Sequence, residues 1–186
     1  MRPIFRLLLL VGAGLFPAAC GDDPFQLRWE ENPQEVTLYS VSRPELNLPT
    51  AFNFVARRTL PLESPNAAGS WDLAVDVRAG ALVFLTPGAL GIRSRASIAP
   101  VTGTTFQELR DAPSDTTRYI SDRPVPVEAG TLYVIQTHEE AGSFGAVCVY
   151  YAKVEPRRID PVEGVLTFLY DASPVCNSRR LVPPDS

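Results

Sequence analysis

Apolar and polar residues alternate with a period of two in several short segments of this chain. The clearest is WDLAVDVR at 71–78, where the apolar residues Trp71, Leu73 and Val75 alternate with polar positions that include Asp72 and Asp76. Such alternation predicts a strand with one buried face and one solvated face. We therefore expect both carboxylates to face water.

The segment that follows predicts a hairpin. Ala79-Gly80 separates this strand from ALVFL at 81–85, and glycine readily adopts the positive φ that a tight turn needs. The second strand is apolar on both faces, which predicts a central position in its sheet.

The rest of the chain predicts a mostly β fold. Further strands are expected at 25–30, 36–41, 51–59, 132–137, 146–154 and 165–170, the last two pairing antiparallel. Prolines are spread along the chain and disfavour long helices, because an interior proline costs about 3 kcal/mol. One short helix is predicted after Thr105, which has Glu108 at capping-box spacing. The pattern predicts an antiparallel β-sandwich or a partly open barrel with one short helix.

The N-terminus has the three parts of a secretory signal. Arg2 and Arg6 precede the apolar run 7–16, and small residues follow it. The run is too short to cross a bilayer, which needs about 20 apolar residues. Ala18-Ala19-Cys20 resembles the bacterial lipobox, which implies cleavage before Cys20 and a diacylglycerol on its sulfur. The lipobox prefers leucine three residues before the cysteine, where this chain has Pro17, so an ordinary signal with an incidental cysteine is the alternative.

These features predict the order of segments along the chain and the cellular location of the protein. Residues 1–19 are the expected signal peptide, 20–24 a lipidated tether, 25–180 a single β-domain and 181–186 a loose tail. Two or more acyl chains hold a protein durably on a membrane. In lipoproteins of this kind an aspartate directly after the cysteine implies retention at the inner membrane, whereas this chain has Gly21. We expect an exported, lipid-anchored protein of the cell envelope at the outer membrane.

Charge and cysteine content restrict the partners. The chain has 17 basic and 21 acidic residues, and removal of the signal makes it more acidic, so we expect no nucleic-acid partner. In an oxidising compartment Cys148 and Cys176 are expected to form a disulfide. A redox or metal pair is the alternative, although the chain has no C-x-x-C motif.

The residues that could support catalysis are few. His138 is the only histidine, so the HExxH motif of zinc proteases cannot occur. The segment GSFG at 142–145 does not match the G-x-S-x-G motif of hydrolases. We predict no catalytic residue, no metal site and no enzyme activity. His138 is expected to be exposed at a strand end, and it is the one candidate for ligand binding.

Two short segments and the signal resemble a known family. Trp71-Asp72-Leu73-Ala74 and the segment YAK at 151–153, together with the lipoprotein signal, resemble the HmuY-like haem-binding lipoproteins. The resemblance implies an all-β lipoprotein on the outer surface that holds haem between two histidines. His138 is the only histidine, so one chain cannot supply two histidine ligands. Methionine can replace a histidine as a haem ligand, but the only methionine, Met1, belongs to the expected signal peptide.

The sequence therefore leaves more than one function open. We predict a non-catalytic β-domain, anchored in the envelope, that binds or supports another envelope protein and needs no cofactor. A carrier of haem or another small ligand is the alternative. An envelope hydrolase with an unrecognised site is a third.

Overall fold

The computed structural model describes residues 28–63, 67 and 69–184. The predicted signal peptide, Cys20 and the tether lie outside the described residues, as do the first three residues of the strand expected at 25–30. The other three residues of that segment, 28–30, are not in a strand.

Within the described ranges, ten strands form two five-stranded antiparallel sheets. In order across the first sheet they are β1 (Gln34–Tyr39), β12 (Val165–Ala172), β11 (Tyr151–Asp160), β8 (Leu132–Gln136) and β6 (Ser97–Val101). Across the second they are β3 (Arg58–Leu60), β2 (Ala51–Asn53), β4 (Leu73–Arg78), β5 (Ala81–Leu85) and β7 (Val125–Pro126). The sheets form a sandwich that is not closed into a barrel. The mostly β prediction is confirmed, and the sandwich is the correct alternative.

Two further strands form a separate hairpin. β9 (Glu140–Ala141) pairs antiparallel with β10 (Val147–Cys148). The hairpin lies in the chain between β8 and β11, at the end of the first sheet where Gln136 pairs with Tyr151.

Aromatic rings from both sheets fill the space between them. Phe52 of β2 lies edge-on to Phe54 and to Tyr170 of β12, with ring centroids 4.8 Å apart in each pair. Phe168 and Phe84 belong to the same buried cluster. Edge-to-face pairs of this kind add about 0.5–1.5 kcal/mol each to the free energy of burial.

The outer face of the first sheet is also covered. Ile135 packs between the sheets, whereas its neighbour Val134 points the other way and packs with Phe106 and Leu181. The predicted loose tail therefore starts with packed residues: Leu181 and Val182 are buried. The backbone N–H of Leu181 also donates to the carbonyl oxygen of Arg110 at 2.7 Å. Apolar residues on the outer face explain why the tail docks there.

The predicted turns and strands need local corrections. The hairpin at Ala79-Gly80 is confirmed, with φ of 50° and 78° at the two turn residues, and β5 lies inside its sheet. The strand expected at 51–59 is instead two strands, β2 and β3, joined by a turn, and the one expected at 146–154 is divided between β10 and β11.

The predicted helix after Thr105 is a single turn. The hydroxyl of Thr105 donates a hydrogen bond to the carboxylate of Glu108 at 2.9 Å, and the N–H of Leu109 donates to the carbonyl of Thr105 at 3.0 Å. No helix continues beyond this turn. Short 3₁₀ helices occur instead at Pro87–Leu90 and Thr116–Arg118. Ser143–Gly145 forms a turn, since the φ of Phe144 at its centre is not helical. Among the residues described, no helix is long and apolar enough to cross a bilayer.

The expectation of a solvated face on β4 is wrong. Asp72 is fully buried and Asp76 is 6% exposed, because Trp71, Ala74 and Leu85 belong to a third apolar cluster that covers this side of the second sheet. Burial acts to raise the pKa of Asp76. Hydrogen bonds from neighbouring groups outweigh burial and hold that pKa below its ordinary value; the donors are the side chains of Ser42, Ser40 and Arg78 and the N–H of Val77.

Candidate functional site

A buried carboxylate and the single histidine join the two sheets at one end of the sandwich. Asp72 directly precedes β4 of the second sheet, and His138 follows β8 of the first. One carboxylate oxygen of Asp72, Oδ1, accepts the backbone N–H of His138 at 2.7 Å and lies 2.6 Å from its ring Nδ1. The other oxygen accepts the N–H of Phe54 at 2.8 Å. The carboxylate therefore connects three segments that are distant in sequence.

A second carboxylate is hydrogen-bonded to the other ring nitrogen. His138 Nε2 lies 2.8 Å from Oε1 of Glu140, the first residue of β9. The hydrogen bond to Asp72 is the largest influence on the pKa of His138 and raises it; burial opposes this, and the charges of both carboxylates add to the increase. The pKa is therefore above its ordinary value, which favours the imidazolium donating from both nitrogens.

This arrangement suits a clamp better than a catalytic base. A general base must reach the proton it removes, and in a Ser-His-Asp triad the serine occupies the ring nitrogen opposite the aspartate. Here Glu140 occupies that nitrogen. An axial haem ligand likewise needs a free nitrogen lone pair. The expectation that His138 is exposed is wrong, since it is 8% exposed.

A shallow depression of about 360 Å³ lies beside the clamp. Its lining comprises Gly69, Arg93, Ser94, Arg95, His138 and Glu139. Arg95 forms an ion pair with Glu139 at 3.5 Å, and both side chains are largely exposed. Such an exposed pair contributes little to stability because water screens it. In the described part of the chain, no group of three or more His, Cys, Asp or Glu residues is placed to hold a metal ion.

A second cluster of charges attaches the first described residues to the first sheet. Lys153 of β11 has a buried side chain whose Nζ lies 2.9 Å from Glu31 Oε1 and 4.6 Å from the centre of the Phe106 ring. On β12, Asp171 stands opposite Lys153 and accepts the N–H of Asn32 at 3.2 Å. Burial raises the pKa of Asp171, and its hydrogen bonds from two backbone N–H groups oppose the increase.

This attachment was not predicted from the sequence. Lys153 entered only as part of the resemblance, and no pattern linked it to Glu31, which lies 122 positions earlier. The buried lysine was detectable in principle as the single charge within the apolar run AVCVYYAKV at 146–154, but its partner was not.

The predicted disulfide between Cys148 and Cys176 is present. It fastens β10 to the segment that follows β12. Asn177 adds two hydrogen bonds to β10 and to the residue that follows it: its side chain donates to the carbonyl of Val147 at 3.0 Å and accepts the N–H of Val149 at 2.9 Å. Gly142 is required here because a Cβ at this position would collide with the Sγ of Cys148.

The tip of this fastened hairpin is apolar and exposed. Phe144 is fully exposed, with a φ of 56°, and Val147 is 57% exposed. In sequence, this segment stands out only by its failure to match the hydrolase motif. The signal that could have identified it is the uncharged run GSFGAV at 142–147, between Glu140 and the disulfide.

A scan against models of known protein families finds no match, and a search of curated proteins finds none either.

Proposed function

We propose that this protein is an exported lipoprotein, anchored through Cys20, whose β-sandwich is a non-catalytic domain that binds or supports another component of the cell envelope. The observation that carries the proposal is the short apolar run 7–16 followed by Ala18-Ala19-Cys20. Its parts match a secretory signal and its end resembles a lipobox. Gly21 after the cysteine favours the outer membrane as the destination.

The cysteines support export. Cys148 and Cys176 are joined, and disulfides of this kind persist in oxidising compartments outside the cytosol. The chain has three cysteines, so Cys20 is the one left without a partner in the chain. A cysteine at the end of a signal sequence is then available for acylation.

The His138 clamp supports a non-catalytic role. Both ring nitrogens bond to carboxylates, so the histidine does not offer a base to a nucleophile. The same contacts leave the haem-carrier alternative without a supporting observation in the described residues.

The attachment of the first described residues supports a domain held near its anchor. Glu31 and Asn32 are fixed to β11 and β12. Seven residues, 21–27, separate Cys20 from Arg28, and the eight Cα–Cα steps of that segment, fully extended, reach at most about 29 Å. A lipid on Cys20 would therefore hold the sandwich close to the membrane surface.

Acylation of Cys20 is the direct test. Cells that express the full chain are labelled with radioactive palmitate and fractionated, beside the Cys20→Ala variant. We expect label and membrane association in the parent chain and neither in the variant. A Cys148→Ala/Cys176→Ala double variant is the control and should keep the label. A Cys20→Ala variant that stays in the membrane pellet would refute the anchor.

A further inference from the structure

Phe144 contributes nothing visible to the fold that carries it. Its ring is fully exposed, and its backbone lies in the left-handed region, with a φ of 56°. Bulky side chains rarely adopt this conformation because the Cβ crowds the backbone. An aromatic residue that is both exposed and strained points to a contact outside the chain.

The hairpin presents this ring on a rigid support. The disulfide fixes β10, and Glu140 of β9 bonds to the buried His138. The N–H of Gly142 closes the loop by donating to the carbonyl of Ala146 at 2.8 Å. A loop whose backbone is already held in position loses little conformational entropy when it binds.

The chemistry of the tip suits a lipid surface. Residues 143–147 are all exposed and none is charged. Phe144 supplies an aromatic ring and Val147 an exposed aliphatic side chain. Aromatic and apolar groups on an otherwise uncharged loop favour the boundary between lipid headgroups and acyl chains.

The position of the tip selects the surface that it meets. The hairpin leaves the first sheet where β8 ends and β11 begins. At this same end β1 begins and β12 finishes, since Gln34 pairs with Tyr170 and Ala152 with Ala172. The N-terminal segment and the hairpin tip therefore lie at one end of the sandwich. A domain tethered at this end by a short segment turns this end toward the membrane.

We propose that the β9–β10 hairpin inserts Phe144 and Val147 into the phospholipid surface to which the chain is anchored, as a second membrane contact that orients the sandwich. This inference rests on the proposed lipid anchor, which brings that surface within reach. Val162 provides a comparison: it is 91% exposed but lies in the turn between β11 and β12, at the opposite end.

The test measures the depth of each end in a membrane. The full acylated chain, as Phe144→Trp or Val162→Trp, is reconstituted in vesicles of phosphatidylethanolamine and phosphatidylglycerol with brominated acyl chains. The parent chain, with its native Trp29 and Trp71, provides the background. We expect the fluorescence added by Trp at 144 to shift to the blue and to lose most of its intensity. The fluorescence added at 162 should match that measured in unbrominated vesicles.

The possible results separate this inference from the proposed function. Vesicle flotation and mass spectrometry report the anchor independently of the fluorescence, and circular dichroism checks that each variant is folded. A chain that floats with lipid on Cys20 but shows equal quenching at 144 and 162 overturns insertion alone. A chain that carries no lipid overturns both. Crosslinking of position 144 to an envelope protein instead of lipid also overturns insertion.

Discussion

The carboxylate of Asp72 accepts two hydrogen bonds from His138, one from the backbone N–H at 2.7 Å and one from ring Nδ1 at 2.6 Å. Because Asp72 leads into the second sheet and His138 leaves the first, this pair joins the two halves of the sandwich. The same imidazole holds Glu140 at the base of the exposed hairpin. One buried ion pair therefore supports both the fold and the proposed membrane contact.

The stability of the domain should fall as the pH rises above neutrality. The pKa of His138 is raised in the folded state, so its stabilisation is fully present below the ordinary histidine pKa of about 6.5 and is lost as the pH rises through the higher folded value. Urea unfolding between pH 5.5 and 9 measures this. His138→Gln should flatten the dependence across this range, and an unchanged profile in that variant would contradict the assignment.

Removal of the buried carboxylate of Asp72 should lower the free energy of unfolding more than neutralisation of the partly exposed carboxylate of Glu140. Asp72→Ala leaves the imidazolium without its buried partner and three donors without an acceptor, and should cost about 3 kcal/mol or more of unfolding free energy. Glu140→Gln keeps an acceptor near Nε2 at a site that is 40% exposed, so we expect a cost of at most about 1 kcal/mol. Comparable losses in the two variants would argue against a buried clamp.

The first described residues should detach when Glu31 is changed. Glu31→Ala removes the partner of the Lys153 ammonium, which weakens the contact that holds this segment on β11. We expect faster trypsin cleavage after Arg28, followed by mass spectrometry. Glu35→Ala is the matched control, because it removes an exposed carboxylate on β1 and should leave the cleavage rate unchanged. Equal rates in all three chains would mean that other contacts hold the segment.

Replacement of Phe144 should not weaken the fold. Phe144→Asn removes a ring that is fully exposed and introduces a residue that tolerates positive φ, so the free energy of unfolding should stay constant or rise by up to about 1 kcal/mol. Phe84→Ala is the contrasting variant, since it removes a buried ring and should cost about 3–5 kcal/mol. A clear loss of stability in Phe144→Asn would show that the ring serves the fold after all.

Haemin should bind weakly or not at all. Both nitrogens of His138 are hydrogen-bonded. In a haemin titration of the full chain we therefore expect no saturable shift of the Soret band. Glu140→Ala removes the hydrogen-bond partner of His138 Nε2. Haemin binding that occurs only in this variant would show that Glu140 blocks the nitrogen. A shift of the Soret band that saturates near one equivalent of haemin in the parent chain and is absent in His138→Gln would favour the haem-carrier alternative.

The strands and the hairpin turn were predictable because their signals are local. Alternation at 73–78 and the Ala79-Gly80 turn depend on neighbouring residues, and the backbone responds to them directly. The disulfide was predictable because the expected export signal favours an oxidising compartment and, with Cys20 assigned to the lipobox, leaves two cysteines to pair.

What the sequence determined by itself is this local pattern: short strands, their turns and the cysteine pair. Export stays a prediction from the N-terminal residues. Only the tertiary structure decided which polar residues are buried. Asp72 and His138 lie 66 positions apart, and each resembles a surface residue until a distant segment covers it. Burial and charge pairing depend on which segments pack together in space. Alternation along one strand does not encode that information, whereas the packing of two sheets and their outer layers does.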